Sequence, residues 1–168
     1  MSYKNKTYVA FDGDNDMQYY RTMQMWKAHE HIEFDFYDAH DLNSARDTST
    51  EESIKAQLRI RMANSRQMIL LVGENTKYLR KFVPWEVELA RKKDIPIIVV
   101  NLNNKKSCDD SLCPSWVLTD DFRTVHISFK AKIIQYALDN FPNEYIKNSG
   151  KGGSKRNYNT SVYDDLGI

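Results

Sequence analysis

The sequence predicts an α/β fold, a doubly wound, five-stranded parallel sheet of the flavodoxin-like kind. Two short apolar runs rich in Ile, Leu and Val, at residues 68–72 and 95–100, support this prediction. Such runs are typical of strands buried on both faces of a parallel sheet. Between them, Pro84 precedes Trp85 and Leu89 at helical spacing, which predicts a crossover helix. Because this helix joins two buried strands, we expect helices on the faces of the sheet.

The chain opens with a predicted strand at residues 7–11, followed by the acidic turn DGDND. Either Asn15 or Asp16 can cap the next helix by accepting a hydrogen bond from its free N–H groups. That helix extends to about Ala28. The three acids of the turn can alternatively bind a hard cation such as magnesium or calcium, although the full calcium-loop pattern is absent.

A second, shorter strand is predicted at residues 34–37, where apolar and polar residues alternate. The polar loop that follows, residues 38–52, is long enough to be functional or mobile, and a flexible connection is the alternative. Capping chemistry at Thr50 and Ser53 marks the start of the next helix. One apolar stripe of this helix is predicted to face the core, and it consists of Ile54, Leu58 and Met62.

The final strand and helix are predicted at residues 124–129 and 130–141, after a less regular region. Beyond them the composition changes to Gly, Ser, Asn and Lys, with little to bury. We therefore expect one domain of residues 1–142 and a flexible polar C-terminal tail of residues 143–168. The last residues, SVYDDLGI, are less polar and can dock on the body or on a partner.

Composition excludes several function classes. The net charge of +1 argues against a nucleic-acid partner bound through a broad basic face. No apolar run approaches the roughly 20 residues of a membrane helix, and the N-terminus has no signal-peptide core, so we expect a cytoplasmic protein without membrane contact. Cys108 and Cys113 lie in a polar loop without a nearby His, so two reduced, structurally incidental thiols and no metal site are expected.

Chemistry is expected at the carboxyl ends of the strands, because ligands of open parallel sheets bind in that crevice. Glu86 is placed there by the prediction, in the first turn of the helix that follows the strand ending at Val72. A helix N-terminus also stabilises negative charge, so Glu86 can equally be a residue that complements the helix dipole. Glu86 is nevertheless the first candidate for a functional residue.

The order of motifs resembles the TIR-like family that includes the small sensor proteins of bacterial Thoeris antiphage systems. The segments that carry this resemblance span about residues 7–141, and they are YVAFDGDND, FDFYDAHDL, IKAQLRIRMANS, ILLVGENT, KFVPWEVELA and IPIIVVNL. In TIR enzymes the helix after the third strand has an aromatic residue, usually Trp, four positions before a glutamate that an aliphatic residue follows. Phe82, Glu86 and Val87 match this pattern, with Phe in place of the usual Trp.

This resemblance implies a signalling protein that cleaves the nicotinamide–ribose bond of NAD⁺ and makes an ADP-ribose-derived, cyclic second messenger for an effector partner. It implies Glu86 as the catalytic residue, NAD⁺ as a substrate and no cofactor. Two other partners are expected. One is further copies of the TIR-like domain, which form a homo-oligomer on activation, and the other is a phage-derived trigger. Residues at the same sheet edge are candidates for substrate binding, and they are Phe11, Asp12, Asp38, Asp41, Glu74, Asn75, Phe82 and Trp85.

Either Glu86 or Glu88 can occupy the glutamate position of the family pattern, and two other functions remain open. Glu88 lies three residues after Trp85, and on an ideal helix Glu86 and Glu88 point about 200° apart, so only one is expected to face the crevice. A non-catalytic TIR-like assembly module is the first alternative function. The second is an enzyme like the nucleoside deoxyribosyltransferases, which share the flavodoxin-like plan and a glutamate that attacks the sugar.

Overall fold

A computed structural model describes residues 6–29, 36–38, 50–118, 121 and 123–168 of the chain. Strands and helices alternate through most of this part. A short 3₁₀ helix at Thr76–Tyr78 precedes the third α-helix. In chain order the elements are β1 (Lys6–Ala10), α1 (Met17–His29), β2 (Phe36–Asp38), α2 (Glu51–Met62), β3 (Ser65–Val72), α3 (Phe82–Lys92), β4 (Ile97–Asn101), β5 (Thr124–Ser128), α4 (Ala131–Lys147), β6 (Arg156–Asn157) and α5 (Thr160–Asp165).

The strands form one parallel sheet in the order β2-β1-β3-β4-β5-β6. Its first five strands are the five that the sequence predicts, so the doubly wound α/β fold is confirmed. The chain runs outward from β1 to β2 and then returns to place β3 on the other side of β1. This change of direction creates a crevice at the carboxyl ends of β1 and β3, where such sheets bind ligands.

Two apolar cores lie on opposite faces of the sheet because successive strand residues point to opposite sides. One face carries Ile69 and Leu71 of β3 and packs against α4. The other carries Met68 and Leu70 and packs against α3. β3 and β4 are therefore buried on both faces, as their continuous apolar sequences predict.

The α2 helix begins as its sequence predicts. Thr50 is the N-cap residue, and its hydroxyl oxygen accepts a hydrogen bond from the N–H of Ser53 at 3.2 Å. The predicted apolar stripe of Ile54, Leu58 and Met62 is buried. Within it, Ile54 and Leu58 pack against one side of α3. Met62 joins the core between α3 and the sheet.

Pro84 was expected near the start of α3, and the helix begins two residues before it, at Phe82. The N–H of Trp85 already donates to the carbonyl of Lys81 at 3.0 Å, and Pro84 occupies the first turn, where its missing N–H costs nothing. Glu86 is therefore in the second turn, and its placement in the first turn is corrected. Val83, Val87 and Ala90 form the side of α3 that packs on the sheet.

The C-terminal residues differ from the expectation of a flexible tail. The α4 helix continues past the expected boundary at residue 142 to Lys147. Further on, β6 pairs with β5 and α5 buries Tyr163 in the core on the α4 face. The apolar residues of the last segment drive this packing. The expectation of a tail came from the composition of residues 143–168 as a whole, in which the Gly and Ser residues before that segment dominate. Among the helices that the structure describes, none is long and apolar enough to cross a membrane.

Candidate functional site

Two clefts open at the carboxyl edge of the sheet, and both are lined by the loop after β1 and the segment after β3. The first, here called the acidic cleft, has a volume of about 400 Å³ and is lined by Asn15, Asp16, Gln18, Tyr19, Gly73, Glu74, Asn75, Leu102, Asn103 and Leu112. The second, the aromatic cleft, has a volume of about 320 Å³ and is lined by Phe11, Asp12, Gly13, Asp14, Tyr78, Leu79, Arg80, Lys81, Phe82 and Val83.

Asp12 organises the turn that separates β1 from α1. One carboxylate oxygen accepts the N–H of Asp14 at 3.1 Å, and the other accepts the side-chain amide of Asn15 at 2.7 Å. The carbonyl of Asp12 also accepts the N–H of Asp16 at 2.8 Å. Asp12, rather than Asn15 or Asp16, thus supplies the side-chain acceptors of the turn. The motif thus forms a hydrogen-bonded turn, as predicted, but its acceptor is Asp12 where the sequence pointed to Asn15 or Asp16.

Asp16 is a candidate that sequence reasoning treated as a helix cap or as one of three possible cation ligands. Its side chain is 6% exposed and lies against Gly73, where an added Cβ would stand 2.6 Å from the nearer carboxylate oxygen. Burial raises the pKa of Asp16 to about 6, and the nearby charges of Asp12 and Glu74 add to this effect. Near neutral pH this carboxyl group can therefore exchange a proton or donate a hydrogen bond to a ligand in the acidic cleft.

Glu86 and Glu88 have opposite surroundings on α3. Glu86 is 6% exposed and shares the sheet-facing side of the helix with apolar residues. Glu88 has 59% of its side chain exposed and forms an ion pair with Lys92 at 3.3 Å. Among the described residues, the lining of neither cleft includes Glu86, but Phe82 and Val83, one turn before it, line the aromatic cleft. Glu86 thus lies behind one wall of that cleft.

Phe11 and Phe82 both reach the aromatic cleft, whereas Trp85 does not. The ring of Phe11 stacks on Tyr20 with centroids 4.8 Å apart. Trp85 instead packs between α3 and α2, with its ring 5.4 Å from the Phe82 ring and the ammonium of Lys55 4.6 Å from its centroid. These contacts occupy the indole that was expected to stack on a nucleobase or nicotinamide.

The remaining predicted binding residues are distributed along the same edge. Glu74 and Asn75 follow β3, are exposed and line the acidic cleft. Asp38 is the last residue of β2 and pairs in register with Val9, which places its backbone at the carboxyl edge. Asp41 lies outside the described residues. The structure therefore brings Phe11, Asp12 and Phe82 to one cleft and Glu74 and Asn75 to the other.

The two cysteines have a histidine neighbour that the sequence did not predict. The ligand atoms of Cys108, Cys113 and His126 all lie within 4.8 Å of one another. His126 belongs to β5 and pairs with Val99, and the loop after β4 folds back over this face of the sheet. The expectation that no histidine is near the cysteines is therefore wrong, because the contact depends on strand pairing between residues distant in sequence.

A family model described as "Thoeris protein ThsB, TIR-like domain" matches residues 8–107, more than half of the 168-residue chain. The match extends from β1 through β4, so it includes Glu86 and most of the lining of both clefts. No curated protein matches the chain. The chain therefore belongs to the family of Thoeris ThsB TIR-like domains, which are signalling modules of antiphage defence.

Proposed function

We propose that this chain cleaves the nicotinamide–ribose bond of NAD⁺, with Glu86 as its catalytic carboxylate. The released ADP-ribose moiety becomes a cyclic second messenger for an effector partner. The observation that carries this proposal is a buried glutamate on the sheet-facing side of α3, behind the aromatic cleft, in a Thoeris TIR-like domain.

The position of Glu86 is difficult to explain by stability. Transferring a carboxylate from water to an apolar surface costs free energy, and even a paired buried charge rarely stabilises a fold more than an apolar residue would. The helix dipole offers little compensation, because its effect falls off within the first turn and Glu86 lies in the second. A functional role accounts for a carboxylate at this buried position.

The chemistry requires only one carboxylate. When the C–N bond to nicotinamide breaks, its electron pair leaves with the ring, which becomes neutral, and positive charge develops at the ribose C1′. A fixed carboxylate beside the sugar stabilises that charge and holds the ribose hydroxyl groups. The C1′ centre is then attacked by water, which gives ADP-ribose, or by a nucleophile of the same nucleotide, which gives a cyclic product; the attacking group loses one proton.

The aromatic cleft has the groups that a dinucleotide needs. Tyr78 is exposed at its rim and can stack on a base. Arg80 and Lys81 bring two cations to the N-terminus of α3. Free N–H groups and cations at a helix N-terminus bind phosphate groups well. We assign the NAD⁺ diphosphate to this position.

Access to Glu86 is the condition for activity. With 6% of its surface exposed, Glu86 reaches the ribose only after the chain around it moves. A binding partner that prefers the opened arrangement shifts the equilibrium toward it. We therefore propose that assembly with like domains, or a phage-derived trigger, activates the chain.

The decisive experiment follows nicotinamide release from NAD⁺ by the purified chain, at low and high concentration and with phage-infected lysate. We expect Glu86→Gln to lower the rate by about 10²–10³-fold, the range for removing one electrostatic stabiliser of a transition state. Glu88→Gln is the matched control on the exposed side of the same helix and should keep the parental rate. Release that survives Glu86→Gln would contradict the assignment.

A non-catalytic assembly module is the second candidate function, because NAD⁺ has no access to the Glu86 carboxylate unless the surrounding chain moves. In that case the purified chain would release no nicotinamide under any of these conditions. The chain would still form assemblies when activated. Glu86→Gln would then change stability without changing a reaction.

A further inference from the structure

We propose that Cys108, Cys113 and His126 bind one zinc ion through two thiolates and the Nδ1 atom of the imidazole. The two sulfur atoms and one ring nitrogen of His126 lie within 4.8 Å of one another. In a zinc tetrahedron with bonds of about 2.0–2.3 Å, the ligand atoms are roughly 3.3–3.8 Å apart. A contraction of about 1 Å completes the geometry, and rotation of the half-exposed Cys108 side chain can supply it.

The imidazole of His126 is already oriented as a ligand. The side chain is fully buried, and its Nε2 atom lies 3.0 Å from the carbonyl oxygen of Ser154. A carbonyl only accepts hydrogen bonds, so Nε2 carries the proton and Nδ1 presents a lone pair. Metal-binding histidines usually donate their second ring N–H to a carbonyl or carboxylate in this way.

The Nδ1 atom of His126 is the unexplained group at this position. It is buried and has no hydrogen-bond partner among the residues that the structure describes. Leaving a buried acceptor unsatisfied costs free energy, because the water that would have bonded to it is lost. A metal ion held between Nδ1 and the two thiolates removes this cost.

The two cysteines provide the other ligands. Both are free thiols, and four residues separate them, a spacing that zinc-binding cysteine pairs use. Cys113 is 9% exposed and belongs to the core beneath the loop after β4. Two thiolates and one neutral imidazole balance the charge of a divalent ion, which suits a largely buried position.

The donor set selects the metal. Sulfur and imidazole ligands favour zinc over magnesium or calcium, which prefer oxygen. Asp110 is not assigned as the fourth ligand, because its carboxylate oxygen is paired with the ammonium of Lys155 at 2.6 Å. We assign the fourth position to water.

Zinc at this position would fasten the loop after β4 to β5. The same loop contributes Leu112 to the lining of the acidic cleft, so the metal would fix that wall. The three ligands include none of the residues proposed for NAD⁺ cleavage. The metal site can therefore be tested without reference to catalysis.

The test uses the untagged full-length chain, because a polyhistidine tag would itself bind metal. We expect about one equivalent of zinc by elemental mass spectrometry. After zinc removal, cobalt(II) should give the thiolate charge-transfer and tetrahedral visible bands of a sulfur-ligated site. Cys108→Ser and Cys113→Ser should each weaken cobalt binding by more than the roughly 10–100-fold that losing an outer-shell partner costs.

Ser107→Ala is the matched control, an exposed position in the same loop, and should bind cobalt like the parent. Circular dichroism must show that Cys108→Ser keeps its fold, which the half-exposed position of this residue favours. Three results would overturn the proposal. The first is the absence of both stoichiometric metal and the cobalt bands, and the second is cobalt bands that persist in both cysteine variants. The third is a Cys108–Cys113 disulfide in freshly purified chain that was alkylated without reductant.

Discussion

Asp16 lies where the loop after β1 meets the end of β3, in contact with Gly73. Its carboxyl group loses hydration there and stands near the charges of Asp12 and Glu74, which is why its pKa rises to about 6 from 3.8. The folded state therefore holds the Asp16 proton more tightly than the unfolded chain does. Between these two pKa values the folding stability contributed by Asp16 falls as the pH rises, and above about 6 the penalty is complete.

We predict that Asp16→Asn stabilises the protein at neutral pH and has no such effect near pH 4. Asparagine has a similar shape and no charge, so it removes the ionisation penalty. The gain should appear as the pH rises through the interval between 3.8 and about 6. Its upper limit is about 3 kcal/mol, since one pKa unit corresponds to about 1.4 kcal/mol. Urea unfolding of parent and variant at several pH values measures it.

Asp14→Asn is the control for this prediction. Asp14 belongs to the same turn, but its side chain is exposed. Its substitution should change the free energy of unfolding by no more than about 0.5 kcal/mol at any pH. A pH-independent effect of Asp16→Asn would mean that the Asp16 carboxyl group titrates normally.

Single residues also show what the sequence could not predict. Glu86 could be proposed as the catalytic residue because its neighbours along α3 carry the family pattern. The surroundings of Asp16 and His126 could not, since they depend on β1 lying beside β3 and β5 beside β4. No local pattern reports contacts between residues so distant in sequence. Trp85 was predicted to bind substrate but packs between α3 and α2. Helical spacing alone does not show whether one side of a helix faces a cleft or a neighbouring helix.

At the scale of elements, β3 and β4 were predictable because strands buried on both faces are apolar throughout. The C-terminal α5 was less so, because it is short and follows a Gly- and Ser-rich segment. Its anchor is Tyr163, which is fully buried and whose hydroxyl oxygen accepts the N–H of Ser128 at 3.3 Å. One aromatic side chain thus attaches the last helix to the end of β5.

We predict that Tyr163→Ala lowers the free energy of unfolding by about 3–5 kcal/mol, the usual cost of truncating a buried aromatic residue. Tyr163→Phe keeps the ring and should cost only about 0.5–1.5 kcal/mol for the lost hydrogen bond. Urea unfolding gives both values. Ser161→Ala, at an exposed position of the same helix, is the control. If Tyr163→Ala behaved like this control, α5 would not be docked in solution.

At the scale of the whole molecule, three chemical features lie at different positions around the sheet. The two clefts lie at its carboxyl edge, Glu86 lies behind one of them, and the cysteine–histidine cluster lies under the loop after β4. In the described arrangement the proposed catalytic carboxylate and the proposed diphosphate position are separated by the first turn of α3. The proposed catalysis therefore requires that the chain around Glu86 moves.

We predict that the rate of nicotinamide release per chain rises with chain concentration. Opening the buried position of Glu86 costs free energy in the monomer, and only a partner that binds the opened state more tightly can supply it. Initial rates over a wide concentration range, with particle masses measured in parallel, test this. Glu88→Gln should show the same rise and Glu86→Gln none. A rate per chain that stays constant while the protein remains monomeric would mean that the monomer already gives NAD⁺ access to Glu86.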